Sequence, residues 1–260
     1  MRSRLALALA LPLALVAAGC ESSFDKAAKI RASQGEIAQA ESVDVTQLTG
    51  VTAETVAVIP SADGLMAAVV IRVTAKGTNG ALLWSPIEVR LLGADGSEVG
   101  TNNTPGADPT LVHLPSLLDG GETLYVNDQI AVSGEPATAE VIVGGTPVAA
   151  PVAAGLEITD PLVTEDPSFG TTWTATVTNQ TAVRQEQIIV QALLRDGEEV
   201  VGAGIAIVEG LDPGASASVT GFFTGGQTGE LEVFAPASNA DDGQGAPPRE
   251  PAGGADAATT

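Results

Sequence analysis

The sequence predicts an all-β chain whose body consists of two β-sandwiches in tandem. Its 260 residues include 30 glycines and 16 prolines, residue types that favour turns. Val/Thr/Ala stretches recur along the chain, and aromatic residues make up only 3% of it. Apolar residues repeat at every second position far more often than at helical spacing, which is typical of half-buried strands.

The strands are clearest in residues 155–236. Residues 172–178 (Thr-Trp-Thr-Ala-Thr-Val-Thr) alternate strictly, with threonines on one face and apolar side chains on the other. Residues 188–194 form a second strand, which ends at the Asp-Gly hairpin signal of 196–197. A further turn follows at 211–214, before another alternating stretch. About seven strands with regular turns predict an immunoglobulin-like sandwich.

Residues 50–146 repeat this plan, and an internal repeat of this kind fixes the architecture. We align 118–121 (Leu-Asp-Gly-Gly) with 211–214 (Leu-Asp-Pro-Gly). This alignment predicts that the valines five residues after each motif, Val126 and Val219, are equivalent.

The first copy has eight additional residues between its Asp-Gly turn and its Leu-Asp motif, and they fall in 101–115. We expect a surface loop there, and binding residues concentrate in loops on a rigid scaffold. For Trp84, at a strand entrance, the edge of the core is the alternative to a contact role. The predicted interaction surface comprises Thr101, Asn102, Asn103, Asp108, His113 and Trp84.

The succession of alternating strands, an Asp-Gly turn, a following valine and Leu-Asp-x-Gly resembles the FxLYD-type immunoglobulin-like modules of bacterial surface lipoproteins. The resemblance covers residues 155–236 well and 50–146 loosely. It implies an immunoglobulin-like fold and a location outside the cytoplasm, and it brings no catalytic residues with it.

The amino terminus predicts export. Met-Arg-Ser-Arg precedes an uncharged apolar run over 5–18, the pattern of a secretory signal. The run is shorter than the roughly 20 residues that a membrane span needs. Ala-Ala-Gly then leads into Cys20, which resembles the lipobox of bacterial lipoproteins. That resemblance implies acylation of Cys20 and removal of residues 1–19. Cys20 is the single cysteine of the chain, and an odd cysteine in an exported protein calls for such an explanation.

We therefore divide the chain into a signal peptide (1–19), a lipid-anchored spacer (20–49), two sandwiches (50–146 and 155–236), a Pro/Ala-rich linker (147–154) and a disordered Gly/Ala/Pro-rich tail (237–260).

Composition limits the chemistry. A formal charge of −21 argues against nucleic acid as a partner, because phosphate binding needs a basic surface. One histidine and one cysteine cannot supply a transition-metal site, and no serine has an evident base, so we expect no metal, no cofactor and no enzyme activity.

The sequence thus predicts a lipoprotein of the cell membrane or outer membrane, anchored in the bilayer through Cys20. Its immunoglobulin-like modules would serve protein interaction or envelope assembly with an unidentified envelope protein. The alternative is a ligand- or ion-binding accessory lipoprotein of a transport system.

Overall fold

The computed structural model describes residues 42–105, 109–149, 155–166 and 170–236, and their regular structure is almost entirely β. Most of the expected spacer, the signal peptide with Cys20, and the expected disordered tail lie outside the described residues.

The first sandwich places one three-stranded sheet, ordered β1-β2-β6, against a second sheet centred on β3. In that second sheet β7 pairs with one edge of β3, and β4 and β5 pair with the other, all antiparallel. Its strands are β1 (Val51–Pro60), β2 (Met66–Ala75), β3 (Leu82–Leu92), β4 (Glu98–Thr101), β5 (His113–Leu117), β6 (Glu122–Ala131) and β7 (Thr138–Val143). Alternate residues of β2 and β3, such as Ile71 and Val89, fill the core between the sheets.

The second sandwich has the same plan, with one sheet ordered β12-β9-β8 and the other β13-β11-β10-β14. Its strands are β8 (Leu156–Asp166), β9 (Gly170–Asn179), β10 (Gln185–Asp196), β11 (Glu199–Leu211), β12 (Ser216–Phe222), β13 (Thr224–Gly225) and β14 (Glu230–Phe234). Trp173 is fully buried at its centre, and Gly197 adopts φ +63° in the predicted hairpin turn. The prediction of two tandem immunoglobulin-like sandwiches is confirmed.

The internal repeat is real, but our alignment of its Leu-Asp motifs is wrong by one residue. The Gly120 N–H donates to Ala75 O (2.9 Å), and the Gly214 N–H donates to Asn179 O (2.7 Å). Both glycines have a positive φ, +77° and +74°. Gly120 is therefore the counterpart of Gly214, because the turn geometry, and not the Leu-Asp letters, sets the register.

This correction changes the valine equivalence as well. Tyr125 is the counterpart of Val219, since both side chains point into the core of their own sandwich. Val126 points out of the opposite face of its sheet. A shift of one residue exchanges the two faces of a strand.

A third apolar layer, which we name the junction layer, lies between the two sandwiches. The β1-β2-β6 sheet contributes its outward face, and the β10-β11 sheet contributes the face turned away from its own core. The buried members of the junction layer are Ile59, Ala68, Val70, Trp84, Leu111, Val126, Ile189, Leu193, Val200, Ala203 and Ile205.

Because of the junction layer, β2 and β10 are buried on both faces. This explains the continuous apolar runs of 67–71 and 192–194, in which residues alternate between two cores instead of between core and solvent. The four sheets stack in the order β3 sheet, β1-β2-β6, β10 sheet and β8-β9-β12.

We predict that Gly225→Ala destabilises the junction. An added Cβ would collide with the Ile59 methyl group across the layer and lie 2.7 Å from Val201 O, at a φ of +98°. We expect the free energy of unfolding to fall by about 2–4 kcal/mol in urea titrations.

Gly214→Ala is the matched control. Gly214 also has a positive φ (+74°), but nothing lies within 4 Å of an added Cβ. It should lose only about 1 kcal/mol. Equal losses in the two variants would contradict close packing at the junction.

Candidate interaction surfaces

The predicted interaction segment interrupts a strand that is continuous in the second sandwich. Leu117 lies sixteen positions after Thr101, whereas its counterpart Leu211 lies eight positions after Ala203. The difference is the predicted eight-residue insertion. The segment includes a short 3₁₀ helix, Pro109–Val112.

Much of this segment is not the surface loop that we expected. Leu111 and Val112 are buried, and Leu114 on β5 has no exposed surface. Apolar side chains of the insertion thus extend the cores of the sandwich. Asp108 lies outside the described residues.

Asn102 fastens the insertion to β3. Its buried Oδ1 accepts the Val89 N–H (2.8 Å), and its Nδ2 donates to the carbonyls of Ile87 (3.0 Å) and Leu111 (2.9 Å). The Tyr125 hydroxyl also donates to Leu111 O. Burial raises the pKa of this hydroxyl, so it stays a protonated donor. The Asn102 Nδ2 also donates to the Tyr125 hydroxyl (3.0 Å), so all four side-chain bonds of Asn102 are internal and the side chain is inaccessible to a partner.

Asn103 binds the first described segment of the chain to the first sandwich. Its Oδ1 accepts the Val43 N–H, and its Nδ2 donates to Val43 O, both at 2.8 Å. A carboxamide has the donor and acceptor of a peptide group, so Asn103 substitutes for a neighbouring strand. Further along, Leu48 N–H donates to Val143 O (2.8 Å) at the edge of β7. The last residues of the expected spacer are therefore bound to the first sandwich.

Residues 42–45 form one wall of an open polar groove, which we name the entry groove, of about 510 Å³. Arg90 lies in it but is engaged by two carboxylates, Glu140 (3.1 Å) and Glu88 (3.6 Å). The remaining charges are acidic, so the groove offers no free cation. It is lined by Ser42, Val43, Asp44, Val45, Glu88, Arg90, Glu98, Thr101 and Asn103.

The other predicted contact residues lie apart from the entry groove. Trp84 adopts φ +48° within β3 and is buried in the junction layer beside Leu111. Its position is thus core, which was the alternative. His113 begins β5 opposite Pro86 and is half-buried. The structure brings together Thr101 and Asn103 of the predicted set, and an interaction role for them stays a prediction.

Asp128 is a buried carboxylate that sequence reasoning missed. It is 8% exposed, and its Oδ2 accepts the Ile205 N–H across the junction (3.0 Å). Its main-chain oxygen accepts from the Thr224 hydroxyl (2.9 Å). Its Oδ1 has no hydrogen-bond partner among the described residues. Burial raises the pKa of this carboxyl to about 6. Strand alternation places Asp128 on the outward face of its sheet. That face is buried only because the second sandwich packs on it.

The two ends of the stack differ in chemistry. The outer face of the β3 sheet has Glu88 and Arg90 where the second sandwich has Gln191 and Leu193. At the opposite end, the outer face of β8-β9-β12 has no charge over three rows of paired residues. This hydroxyl face consists of Thr159, Thr176 and Ser218; Leu162, Thr174 and Thr220; and Thr164, Thr172 and Phe222.

Within the described ranges, no three His, Cys, Asp or Glu side chains converge on a common point as metal ligands would. The same part of the chain contains no helix with the length and apolar character needed to cross a membrane.

Comparisons with known proteins add little. No protein-family model matches the chain, and no curated protein matches it. Among solved structures, it is similar to red sea bream transglutaminase at 11% identity and a TM-score of 0.20. The match covers 75% of this chain and spans 30% of that one. A likeness of this size carries no argument about function.

We predict opposite outcomes for the two neighbouring asparagines. Asn102→Ala leaves the Val89 N–H and Leu111 O without this partner, and should lower the free energy of unfolding by about 2–4 kcal/mol. Asn103→Ala should cost less than about 1 kcal/mol but accelerate amide hydrogen exchange at Val43. Urea titration and exchange mass spectrometry measure the two effects. Global destabilisation by Asn103→Ala would contradict its local role.

We predict that Asp128→Asn raises stability at pH 7.5. The folded chain holds a proton on this carboxyl up to about pH 6, above the ordinary pKa of 3.8. Folding therefore gains stability as pH falls from 7 towards 4, and above pH 6 the ionised carboxylate opposes folding by on the order of 2–3 kcal/mol. Asparagine keeps an acceptor for the Ile205 N–H and does not titrate.

The measurement is the free energy of unfolding between pH 4 and 8. Asp128→Asn should remove the upward slope toward acid. Asp119→Asn is the control, because Asp119 is exposed and accepts N–H groups of residues 77–79, which lower its pKa. That variant should retain the slope between pH 5 and 7. A slope unchanged by Asp128→Asn would contradict the assignment.

Proposed function

We propose that this protein is a non-enzymatic lipoprotein, anchored outside the cytoplasm through acylated Cys20, which presents its paired sandwiches to the envelope. The observation that carries the proposal is the amino-terminal sequence: two arginines, an uncharged apolar run and Ala-Ala-Gly-Cys. Two or three acyl chains on one residue give firm anchoring, since a single chain binds only marginally.

The attachment of the chain to the body suits an anchored protein. Val43 is bound on the outer face of the β3 sheet, twenty-three residues after Cys20. Asn103 and the edge of β7 hold residues 43–48, so a pull on the tether would act on the first sandwich.

The tether attachment and the hydroxyl face lie at opposite ends of the described body. The β3 sheet and the hydroxyl face are the two ends of a stack of four sheets. Sheets pack about 10 Å apart, which puts these ends about 30 Å from each other. The junction layer couples the two sandwiches, so the hydroxyl face keeps a fixed distance from the point at which Val43 is bound.

We predict that Cys20→Ser abolishes membrane association without altering the body. The full chain, expressed in a lipoprotein-processing bacterium, should lose residues 1–19 and gain the mass of two or three acyl chains. It should partition into detergent, and Cys20→Ser should stay in the aqueous phase. Intact mass spectrometry and phase partition measure these outcomes.

Thermal unfolding of the two forms is the control: coinciding curves would show that Cys20→Ser leaves the body folded. An unmodified thiol at Cys20, or an intact leader in the native protein, would refute the anchor.

A further inference from the structure

The hydroxyl face is regular and uncharged, with five of its nine side chains exposed and the other four half-buried. It displays Phe222 and Leu162, which are 54% and 58% exposed, around the threonines of β9. Thr172 pairs with Phe222 on one side, and Thr174 pairs with Leu162 on the other. These nine adjacent positions carry no charge, and the next row of the same face consists of Glu157, Thr178 and Ser216.

Solvent exposure alone does not explain this chemistry. The opposite end of the stack is also a solvent-facing sheet, and it carries Glu88, Arg90 and Glu140. The hydroxyl face instead combines neutral hydrogen-bonding groups with two large apolar side chains, a combination typical of contact surfaces.

The counterpart of this face in the first sandwich is an interface. Val70 pairs with Val126 in the junction layer, and Thr174 pairs with Thr220 at the same places in the second sandwich. Each exchange keeps the β-branched shape and replaces a methyl by a hydroxyl. In the first sandwich this sheet face packs on an apolar sheet. In the second sandwich the equivalent face suits a polar, uncharged surface.

The hydroxyls are available to a ligand. The side chains of Thr174, Thr176, Ser218 and Thr220 form no hydrogen bond to other residues in the described part of the chain. Each hydroxyl can donate and accept. They lie about 4.8 Å apart across the strands and about 6.8 Å apart along them. This is a lattice of neutral donors and acceptors.

The dimensions favour a narrow ligand. Three strands and three rows cover about 15 Å by 20 Å, or about 300 Å². A stable protein–protein complex buries about 800 Å² on each partner, so this face alone is too small for one. An anionic polymer would be repelled by the body, and a cationic one would find no carboxylate within the nine positions.

We propose that the hydroxyl face binds a neutral polysaccharide strand. The strand lies along β9, with its hydroxyls bonded to the threonines and the apolar C–H faces of its sugar rings on Phe222 and Leu162. Sugar hydroxyls match neutral donor–acceptor side chains without burying an unpaired charge. Polysaccharide binding does not depend on the proposed membrane anchor.

The test is co-sedimentation of the full chain, carrying Cys20→Ser to keep it soluble, with amorphous cellulose, chitin, insoluble β-1,3-glucan and starch. Calcium alginate gel serves as the anionic matrix. We expect retention on at least one neutral polysaccharide and none on alginate. Phe222→Ser and Thr174→Glu should each reduce the bound fraction at least tenfold.

Leu65→Ser and Leu118→Ser are the matched controls, since these leucines are 64% and 50% exposed in turns of the first sandwich. They should bind like the parent, and thermal unfolding should show that all four variants are folded. Retention on none of the four neutral polysaccharides overturns the proposal, as does equal loss in the controls. A dimer in sedimentation velocity that Phe222→Ser abolishes, without polysaccharide binding, assigns the face to self-association instead. An unmodified Cys20 would refute the anchor and leave these results intact.

Discussion

The junction layer between the two sandwiches is the contact on which the rest of the structure depends. Ile189 and Leu193 of the second sandwich lie in one buried cluster with Ala68, Val70 and Val126 of the first. A fully buried aliphatic side chain contributes about 1.5–3 kcal/mol, so several of them make the two sandwiches stabilise each other. The layer also determines what lies inside: β2 and β10 become central strands with no solvent face. The distance between the tether attachment and the hydroxyl face follows from it.

Directional bonds complement this apolar contact. The Gln191 side chain donates to Leu124 O (3.2 Å), and the Ile205 N–H donates to the Asp128 carboxylate (3.0 Å). Apolar side chains tolerate sliding of one sheet over another, whereas hydrogen bonds to fixed groups select one alignment. Buried polar atoms without a partner lower the stability of the layer. Among the described residues these atoms are Gln191 Oε1, Asp128 Oδ1 and Trp84 Nε1. A buried unpaired polar group costs about 1–3 kcal/mol.

The sequence predicted each sandwich well and the contact between them not at all. Alternation identified the inward residues of β9 and β10, because each sandwich core is local and follows the two-residue period. The same rule assigned the other face of β10 to solvent, where Ile189 and Leu193 are in fact buried. The uninterrupted apolar run of 192–194 was the available signal, since a strand buried on both faces loses its alternation.

In the insertion, too, the sequence predicted local features and missed those that depend on residues far along the chain. Eight inserted residues between two aligned motifs located the segment that contains Asn102 and Asn103. Which of the two asparagines is buried depends on partners far along the chain, Tyr125 for Asn102 and Val43 for Asn103. Spacing within the segment cannot distinguish them. The one-residue error in the Leu-Asp alignment has a related origin, because glycine placement in a turn outweighs similarity of the letters around it.

The two end faces of the stack differ in chemistry from the faces that meet at the junction layer. The junction is heterologous: the face of one sandwich meets a different face of the next, and such a contact can repeat without closing. An apolar residue at both free ends would therefore allow chains to associate end to end. Arg90 stands where the second sandwich has Leu193, and Thr174 stands where the first has Val70. Either replacement leaves a polar group that an apolar sheet cannot satisfy, which disfavours a second contact of the same kind at that end. The two ends disfavour such association through different groups, a charge at one end and hydroxyls at the other. A charge excludes nearly every uncharged surface, whereas a hydroxyl excludes an apolar sheet and still accommodates a surface made of hydroxyls.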